Sequence, residues 1–271
     1  MRRKRFAFAY LCFMMEKIKP KKHLGQHFLK DLKVAERIAG LLSGHGNYRK
    51  VLEIGPGMGV LTQFLAKNTA WELHLAEVDS ESVAYLQQAS YVPDNQLHHA
   101  DFLEMNLSKI AQGEPLALVG NLPYNISSQI FFKMLENRHF IPEMACMIQK
   151  EVAERIAAPP GSKEYGILSV LLQAFYDIRY EFTVHEHVFQ PPPKVKSAVI
   201  TLRRNTVARL GCDEKRFFIV VKTAFNQRRK TLRNALKPLG IPAFAANLPL
   251  LDLRAERLGV AEFVELTQAL S

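Results

Sequence analysis

The sequence predicts an α/β protein: a parallel sheet flanked by helices, followed by a small helical domain. Three observations carry this. Strand candidates at 50–54, 73–78, 96–100, 116–119 and 144–148, most of them rich in apolar residues, alternate with stretches of helical periodicity. The first run enters Gly55-Pro56-Gly57-Met58-Gly59 and then a helical pattern through Leu61, Phe64 and Leu65, giving strand, glycine turn and helix in succession. After Arg203-Arg204 the pattern turns helical, which sets a boundary between Thr206 and Gly211. The expected division is therefore an extension at 1–16, an α/β domain at 17–205 and a helical domain at 206–271.

Length and charge fit that division. A chain of 271 residues exceeds the usual single-domain size, and its 48% hydrophobic content suffices for a core. The 36 Lys and Arg against 26 Asp and Glu give a net charge of +10, which favours a polyanionic partner, nucleic acid first. Cys12, Cys146 and Cys212 are odd in number and far apart, which fits a reducing compartment rather than a disulfide framework. His98-His99 and His185-x-His187 lack a further ligand at the spacing a metal site needs, so no metal is expected.

Taken in order, Arg2-Arg3-Lys4-Arg5 precedes an apolar run from Phe6 to Met15. That run is too short to span a bilayer and no Ala-x-Ala site follows it. The expectation is a disordered extension, with Met14 or Met15 as the working start, and no membrane partner. Lys17 to Lys30 is a basic arm interrupted by Gly25-Gln26-His27-Phe28-Leu29, a cluster that suggests a segment folding back over a ligand. Asp31 is then placed to cap a helix with apolar positions Val34, Ile38, Leu41 and Leu42.

Gly55 and Gly57 allow backbone to approach a nucleotide-like ligand, although a Gly-x-Gly alone is weak evidence. The second strand delivers Glu77 about 20 residues further on, the separation at which an acid accepts from ribose hydroxyls. The third ends at Asp101, placed to accept from an adenine amine. The fourth leads to Asn121-Leu122-Pro123-Tyr124. This tetrapeptide reads in two ways: as a tight turn, or as an amide oxygen, a backbone carbonyl and a flat ring suited to an exocyclic amine on a stacked base.

Helical patterns at 83–89, 126–135, 150–156 and 167–175 and strands at 180–184 and 197–202 complete the larger domain. Phe189-Gln190-Pro191-Pro192-Pro193 runs straight into the last strand, so it lies inside the domain, and Phe189 is expected to face Tyr124 across a base. In the helical domain Val221, Phe225, Leu232 and Leu236 form an apolar stripe. Arg228, Arg229, Lys230, Arg233 and Lys237 are accompanied by no acid over 226–237, and Arg229, Arg233 and Lys237 recur every fourth residue. That run leans toward phosphate contact.

Gly25-Gln26-His27-Phe28-Leu29, Glu53-Ile54-Gly55-Pro56-Gly57-x-Gly59, Glu77-Val78-Asp79, Asn121 to Ser127 and Gln149 to Val170 together resemble the KsgA-type ribosomal RNA adenine dimethyltransferases. Phe189-x-Pro-x-Pro-Lys-Val and Phe225-x-x-Arg228-Arg229-Lys230-x-Leu232 extend the resemblance over roughly residues 17 to 240. It implies a Rossmann-like fold that uses S-adenosyl-L-methionine to dimethylate N6 of two adjacent adenosines. These lie in the hairpin near the 3′ end of 16S ribosomal RNA, within the small subunit or its precursor. It also implies a cytoplasmic monomer that serves ribosome biogenesis.

Carried over by position, the cofactor contacts are His27, Leu29, Gly55, Glu77, Asp101 and Asn121, with Gly57 in the same loop. The base site is Asn121, Pro123, Tyr124 and Phe189. Position 27 departs from the family, which usually has Asn there. An Erm-type large-subunit enzyme shares the fold and the Asn motif, but the Glu151 to Val170 run argues against it. DNA adenine methylation more often uses Asn-Pro-Pro-Tyr, and a non-catalytic assembly factor predicts a degraded glycine loop.

Overall fold

A computed structural model describes Lys21 and residues 24–270. The expected extension at 1–16, and most of the arm before Leu24, lie outside the described residues.

The strands are β1 (Phe28–Leu29), β2 (Lys50–Ile54), β3 (Glu72–Glu77), β4 (Leu97–His99), β5 (Leu116–Asn121), β6 (Glu143–Gln149), β7 (Tyr176–Val184), β8 (Phe189–Gln190) and β9 (Ser197–Arg204). Seven form one sheet in the order β4-β3-β2-β5-β6-β9-β7, while β1 and β8 pair antiparallel. β2 lies parallel between β3 and β5, β4 continues from β3, and β6 continues from β5. The chain thus moves outward from β2 to β4, then returns to the other side of β2 at β5. Such a reversal opens a crevice at the carboxyl ends of the two central strands.

The central strands β2, β5 and β6 are mostly apolar because both faces are covered, whereas β4, Leu97-His98-His99, is half-buried to exposed. All of β2 is buried, Lys50 and Glu53 included. The Lys50 ammonium meets that cost by donating to the Ile110 carbonyl at 2.9 Å and the Gln112 side-chain oxygen at 2.8 Å. At the switch point Gly120 is required, since a Cβ there would stand 2.5 Å from the Ile54 carbonyl oxygen.

Helices α1 (Leu32–Ala39), α2 (Thr62–Leu65), α3 (Ser80–Ala89), α4 (Leu107–Ala111) and α5 (Ser127–Glu136) connect the strands up to β6. Asp31 caps α1 as expected, its carboxylate accepting from Lys33 N at 2.8 Å and Val34 N at 3.2 Å. In α5, Ile130, Phe131, Met134 and Leu135 are all fully buried. Helices α6 (Lys150–Ala157), α7 (Ile167–Gln173), α8 (Glu214–Asn226), α9 (Leu232–Ala235) and α10 (Val260–Ala269) follow.

The chain divides into two compact units. One runs through Lys150 and resumes at Glu181–Leu202; the other is Glu151–Tyr180 with Arg203 onward. This differs from the single expected boundary near 206, because 151–180 groups with the later helices. In that second unit Leu168–Leu172 are buried and α7 packs on α8, which also carries α9 and α10. The Phe225 ring stacks with Phe263 at 6.0 Å. β7 starts at Tyr176 rather than 180, where buried or half-buried Tyr176, Ile178 and Tyr180 alternate with exposed Asp177 and Arg179.

A second difference concerns the basic run. α8 stops at Asn226 and α9 begins at Leu232, so Arg229, Arg233 and Lys237 do not share one continuous helix. The break is fixed by a bridge between Thr231 and Arg254 and by Leu232 N donating to the Leu253 carbonyl at 2.8 Å.

Candidate active site

The crevice at the ends of β2 and β5 is lined by Leu24–Leu29 of the arm, by Gly55 and Gly57, and by Glu77, Asp101, Asn121, Pro123 and Tyr124. Seven of the expected cofactor and base residues, and the arm, therefore meet in one place. Each strand delivers its residue at its carboxyl end: Glu77 closes β3 and Asn121 closes β5.

The arm crosses this opening as a strap. At one end the Lys21 ammonium pairs with Asp79 and lies 3.1 Å from Glu81. At the other, β1 pairs with β8, Lys30 N donates to the Val188 carbonyl at 2.9 Å, and His27 Nδ1 lies 2.9 Å from the Pro191 carbonyl oxygen. Between these anchors the His27 carbonyl accepts from Asn121 Nδ2 at 3.0 Å. The expectation of a segment folded over the site thus matches its course.

That last contact fixes the Asn121 amide. With Nδ2 turned to the arm, Oδ1 is the free acceptor, and no partner for it is found among the described residues. The Pro123 carbonyl takes only a 3.3 Å bond from Ile126 N, leaving a lone pair available. The Tyr124 hydroxyl is tied to Ser197 Oγ at 2.5 Å, and its ring stacks on His27 with centroids 5.5 Å apart and planes at 28°. Both sequence readings fit: residues 124–126 form a turn closed by Ile126 N on the Pro123 carbonyl, and the same tetrapeptide borders the crevice.

Phe189 is placed otherwise than expected. It is fully buried in the core of the sheet unit, opposite Leu29 in the β1–β8 pair, and does not line the crevice. An apolar ring with no polar handle gains more by joining that core than by standing in an open cleft. The ring facing Tyr124 is His27.

The glycine loop and the acids suit an adenosine-bearing ligand. Gly55 sits at φ 65° with no atom within 4 Å of where a Cβ would be, so backbone borders open space. Gly57 N donates to Glu77 Oε2 at 2.9 Å, and Val78 N and Asp79 N both donate to Oε1 at 2.9 Å. Burial pushes the Glu77 carboxyl up while these three N–H groups pull it down, with a net rise. Oε2 keeps capacity for a hydroxyl. Asp101 spends one oxygen on Leu103 N at 2.8 Å and keeps the other. Leu29 is buried and supplies an apolar wall. S-adenosyl-L-methionine, with a ribose diol, an amine-bearing base and an apolar body, matches this donor and acceptor set.

Sequence reasoning missed Glu53. It also borders the crevice, is 1% exposed, and accepts from the Thr62 hydroxyl at 2.7 Å. Burial raises its pKa to about 8, the Thr62 bond opposes this, and nearby Glu77 adds to it. An acid inside the apolar run of β2 was the available signal.

The basic residues of the second unit fall into two groups. Arg228 donates to the Lys163 carbonyl, and Arg233 pairs with Asp252 at 2.8 Å and donates to the Ala246 carbonyl at 2.6 Å. Arg229, Lys230 and Lys237 are exposed, with no ion pair found among the described residues.

Known proteins resemble this chain over nearly its whole length. The model of the ribosomal RNA adenine dimethylase family matches residues 17–266. The "Ribosomal RNA small subunit methyltransferase A" of Cytophaga hutchinsonii is 56% identical over 257 residues, covering 95% of this chain and 99% of its own. Its namesake in Bacteroides thetaiotaomicron is 60% identical over 254 residues, covering 93% and 94%. Among solved structures, a dimethyladenosine transferase from Plasmodium falciparum superposes with a TM-score of 0.70 at 23% identity, over 89% of this chain and 96% of its own, and so speaks to the fold. The 23S rRNA methyltransferase ErmE gives 0.64 at 26% identity, over 90% and 99%. The chain belongs to the ribosomal RNA adenine dimethylase family.

Proposed function

We infer that this chain transfers methyl groups from S-adenosyl-L-methionine to N6 of adenosine in small-subunit ribosomal RNA. The substrate is the pair of adjacent adenosines in the hairpin near the 3′ end of 16S RNA, in the small subunit or its precursor. The chain acts as a monomer in the cytoplasm. The observation that carries the reading is the Asn121 amide, turned by the His27 carbonyl so that Oδ1 faces the crevice beside Pro123 and Tyr124.

The adenine N6 lone pair is delocalised into the ring and is a poor nucleophile. Asn121 Oδ1 and the Pro123 carbonyl accept its two N–H bonds, which favours a pyramidal nitrogen with its lone pair released for attack. The ring of Tyr124 holds the base by its face, and the base must leave any stack to reach it. When bound, the cofactor supplies an electrophilic methyl on a sulfonium. Glu77, Asp101 and the Gly55–Gly57 backbone hold its adenosine part. Arg229, Lys230 and Lys237 are the residues free to meet phosphates.

The relatives at 56% and 60% identity carry a small-subunit name, whereas ErmE, named for 23S RNA, stands at 26%. That difference supports the small-subunit reading. Primer extension across both ribosomal RNAs from cells lacking this protein tests it. A dimethyladenosine stop lost from 16S RNA is the expected result; an unchanged 16S pattern, or a stop lost from 23S RNA, overturns it.

A further inference from the structure

We propose that Lys133 is a positioning residue of the cofactor site: from α5 its ammonium fixes the turn at 101–105, and so holds the free Asp101 oxygen toward the adenine amine of S-adenosyl-L-methionine. The proposal rests on the methyltransferase reading above. It concerns a residue that stands outside the lining of the crevice.

The turn follows β4 directly. Asp101 Oδ1 accepts from Leu103 N at 2.8 Å, and the Asp101 carbonyl accepts from Glu104 N at 3.0 Å and Met105 N at 3.2 Å. These bonds close the turn at its start. Its end is held from outside, because Lys133 Nζ donates to both the Leu103 and the Met105 carbonyl at 2.6 Å. A lysine shared between carbonyls of one turn does what it does at a helix C-terminus, where it satisfies the last carbonyls with a charge-assisted bond. Phe102, between them, is buried, borders the crevice and has its ring centroid 5.6 Å from the same ammonium. The turn that carries Asp101 is thus braced through backbone and side chain alike.

Lys133 is half-buried, and burial lowers its pKa while Glu104, Glu136 and Asp101 oppose that fall. Its hydrogen bonds go to carbonyls rather than carboxylates, so what it stabilises is the course of the backbone. α5 has a second attachment at its other end. Ile126 N donates to the Pro123 carbonyl at 3.3 Å, and Ser127 Oγ donates to the Tyr124 carbonyl at 3.2 Å. One helix, anchored by fully buried Ile130, Phe131, Met134 and Leu135, therefore holds the Asn121 tetrapeptide at its start and the Asp101 turn in its last turn.

A double-mutant cycle tests the proposal. Full-length wild type, Lys133→Met, Asp101→Ala and the double variant are titrated by calorimetry with S-adenosyl-L-homocysteine, with thermal melts to verify folding. The expected result is that Lys133→Met weakens binding about tenfold when Asp101 is present and less than about twofold when it is Ala, as for residues acting through one network. With the methyl donor saturating, Lys133→Met should keep its KM for small subunits, purified from cells lacking this protein, within about twofold of wild type. An equal loss in both backgrounds overturns the proposal, since a lysine that merely supports the fold weakens binding whether or not Asp101 is there. Unchanged binding in Lys133→Met overturns it as well. If Lys133→Met lacks a cooperative melt, Lys133→Gln, which keeps a donor for one carbonyl, enters the same cycle with an expected coupling of about threefold. Wild-type protein that binds no S-adenosyl-L-homocysteine overturns the methyltransferase reading, a result distinct from any ratio among the variants.

Discussion

Asn121 Nδ2 donates to the His27 carbonyl at 3.0 Å across 94 residues of sequence, so the amide that faces the substrate is oriented by backbone from the other side of the crevice. Asn121→Ala removes the free Oδ1 and leaves that carbonyl able to bond water. The expected loss is about 2–4 kcal/mol of transition-state stabilisation, or about 30- to 900-fold in single-turnover rate, with cofactor and RNA binding partly retained. Turnover like wild type in this variant rules out the site.

Glu77 serves both fold and ligand, since it satisfies Gly57 N, Val78 N and Asp79 N at once. Glu77→Ala leaves three N–H groups without their acceptor and should cost on the order of 2–4 kcal/mol of stability. Glu77→Gln keeps one acceptor oxygen, so its melting temperature should fall less while cofactor affinity still drops. Calorimetry of melting and of cofactor binding on the two variants distinguishes the two roles.

Glu53 predicts an unusual slope in stability against pH. Its folded pKa, about 8, lies above the ordinary value of 4.5, so between those limits the folded chain holds a proton the unfolded chain has released. Stability from this group is therefore complete below about pH 4.5 and falls as pH rises toward 8, by on the order of 4 kcal/mol. Glu53→Gln should flatten that fall, as read from urea midpoints at pH 5, 6.5 and 8. An equal slope in both proteins rules out the assignment.

Arg233 should behave unlike its basic neighbours. It is committed to Asp252 and the Ala246 carbonyl, in partly exposed surroundings, so Arg233→Ala should cost about 1 kcal/mol of stability. Arg229→Ala, Lys230→Ala and Lys237→Ala should leave the melting temperature in place. Each should instead weaken RNA binding and lower its salt dependence by about one released ion. Filter binding over a salt series reads both quantities.

What the sequence made legible follows from how buried parallel strands are written. Most are short runs rich in apolar residues, and a polar residue at the carboxyl end, as with Glu77 and Asn121, borders the crevice. Residues placed by long-range contact were less legible. Nothing local shows that Phe189 goes into the core or that His27 stacks on Tyr124, because both depend on β1 meeting β8. The break between α8 and α9 was hidden for a similar reason. Residues 227–231 contain no Gly or Pro, and the interruption is set by Thr231 bonding across to Arg254. Likewise no glycine or proline at 150–151 signals that the chain there enters the second unit.

The interleaving of the two units also sets a timetable for synthesis. The apolar face of α7, Leu168 to Leu172, is translated roughly fifty residues ahead of α8, which covers it, and at ~5–20 residues per second the interval is several seconds. Over that interval the nascent chain carries an uncovered leucine-rich helix, an opening for chaperones. A gene cut at codon 205 makes that exposure permanent.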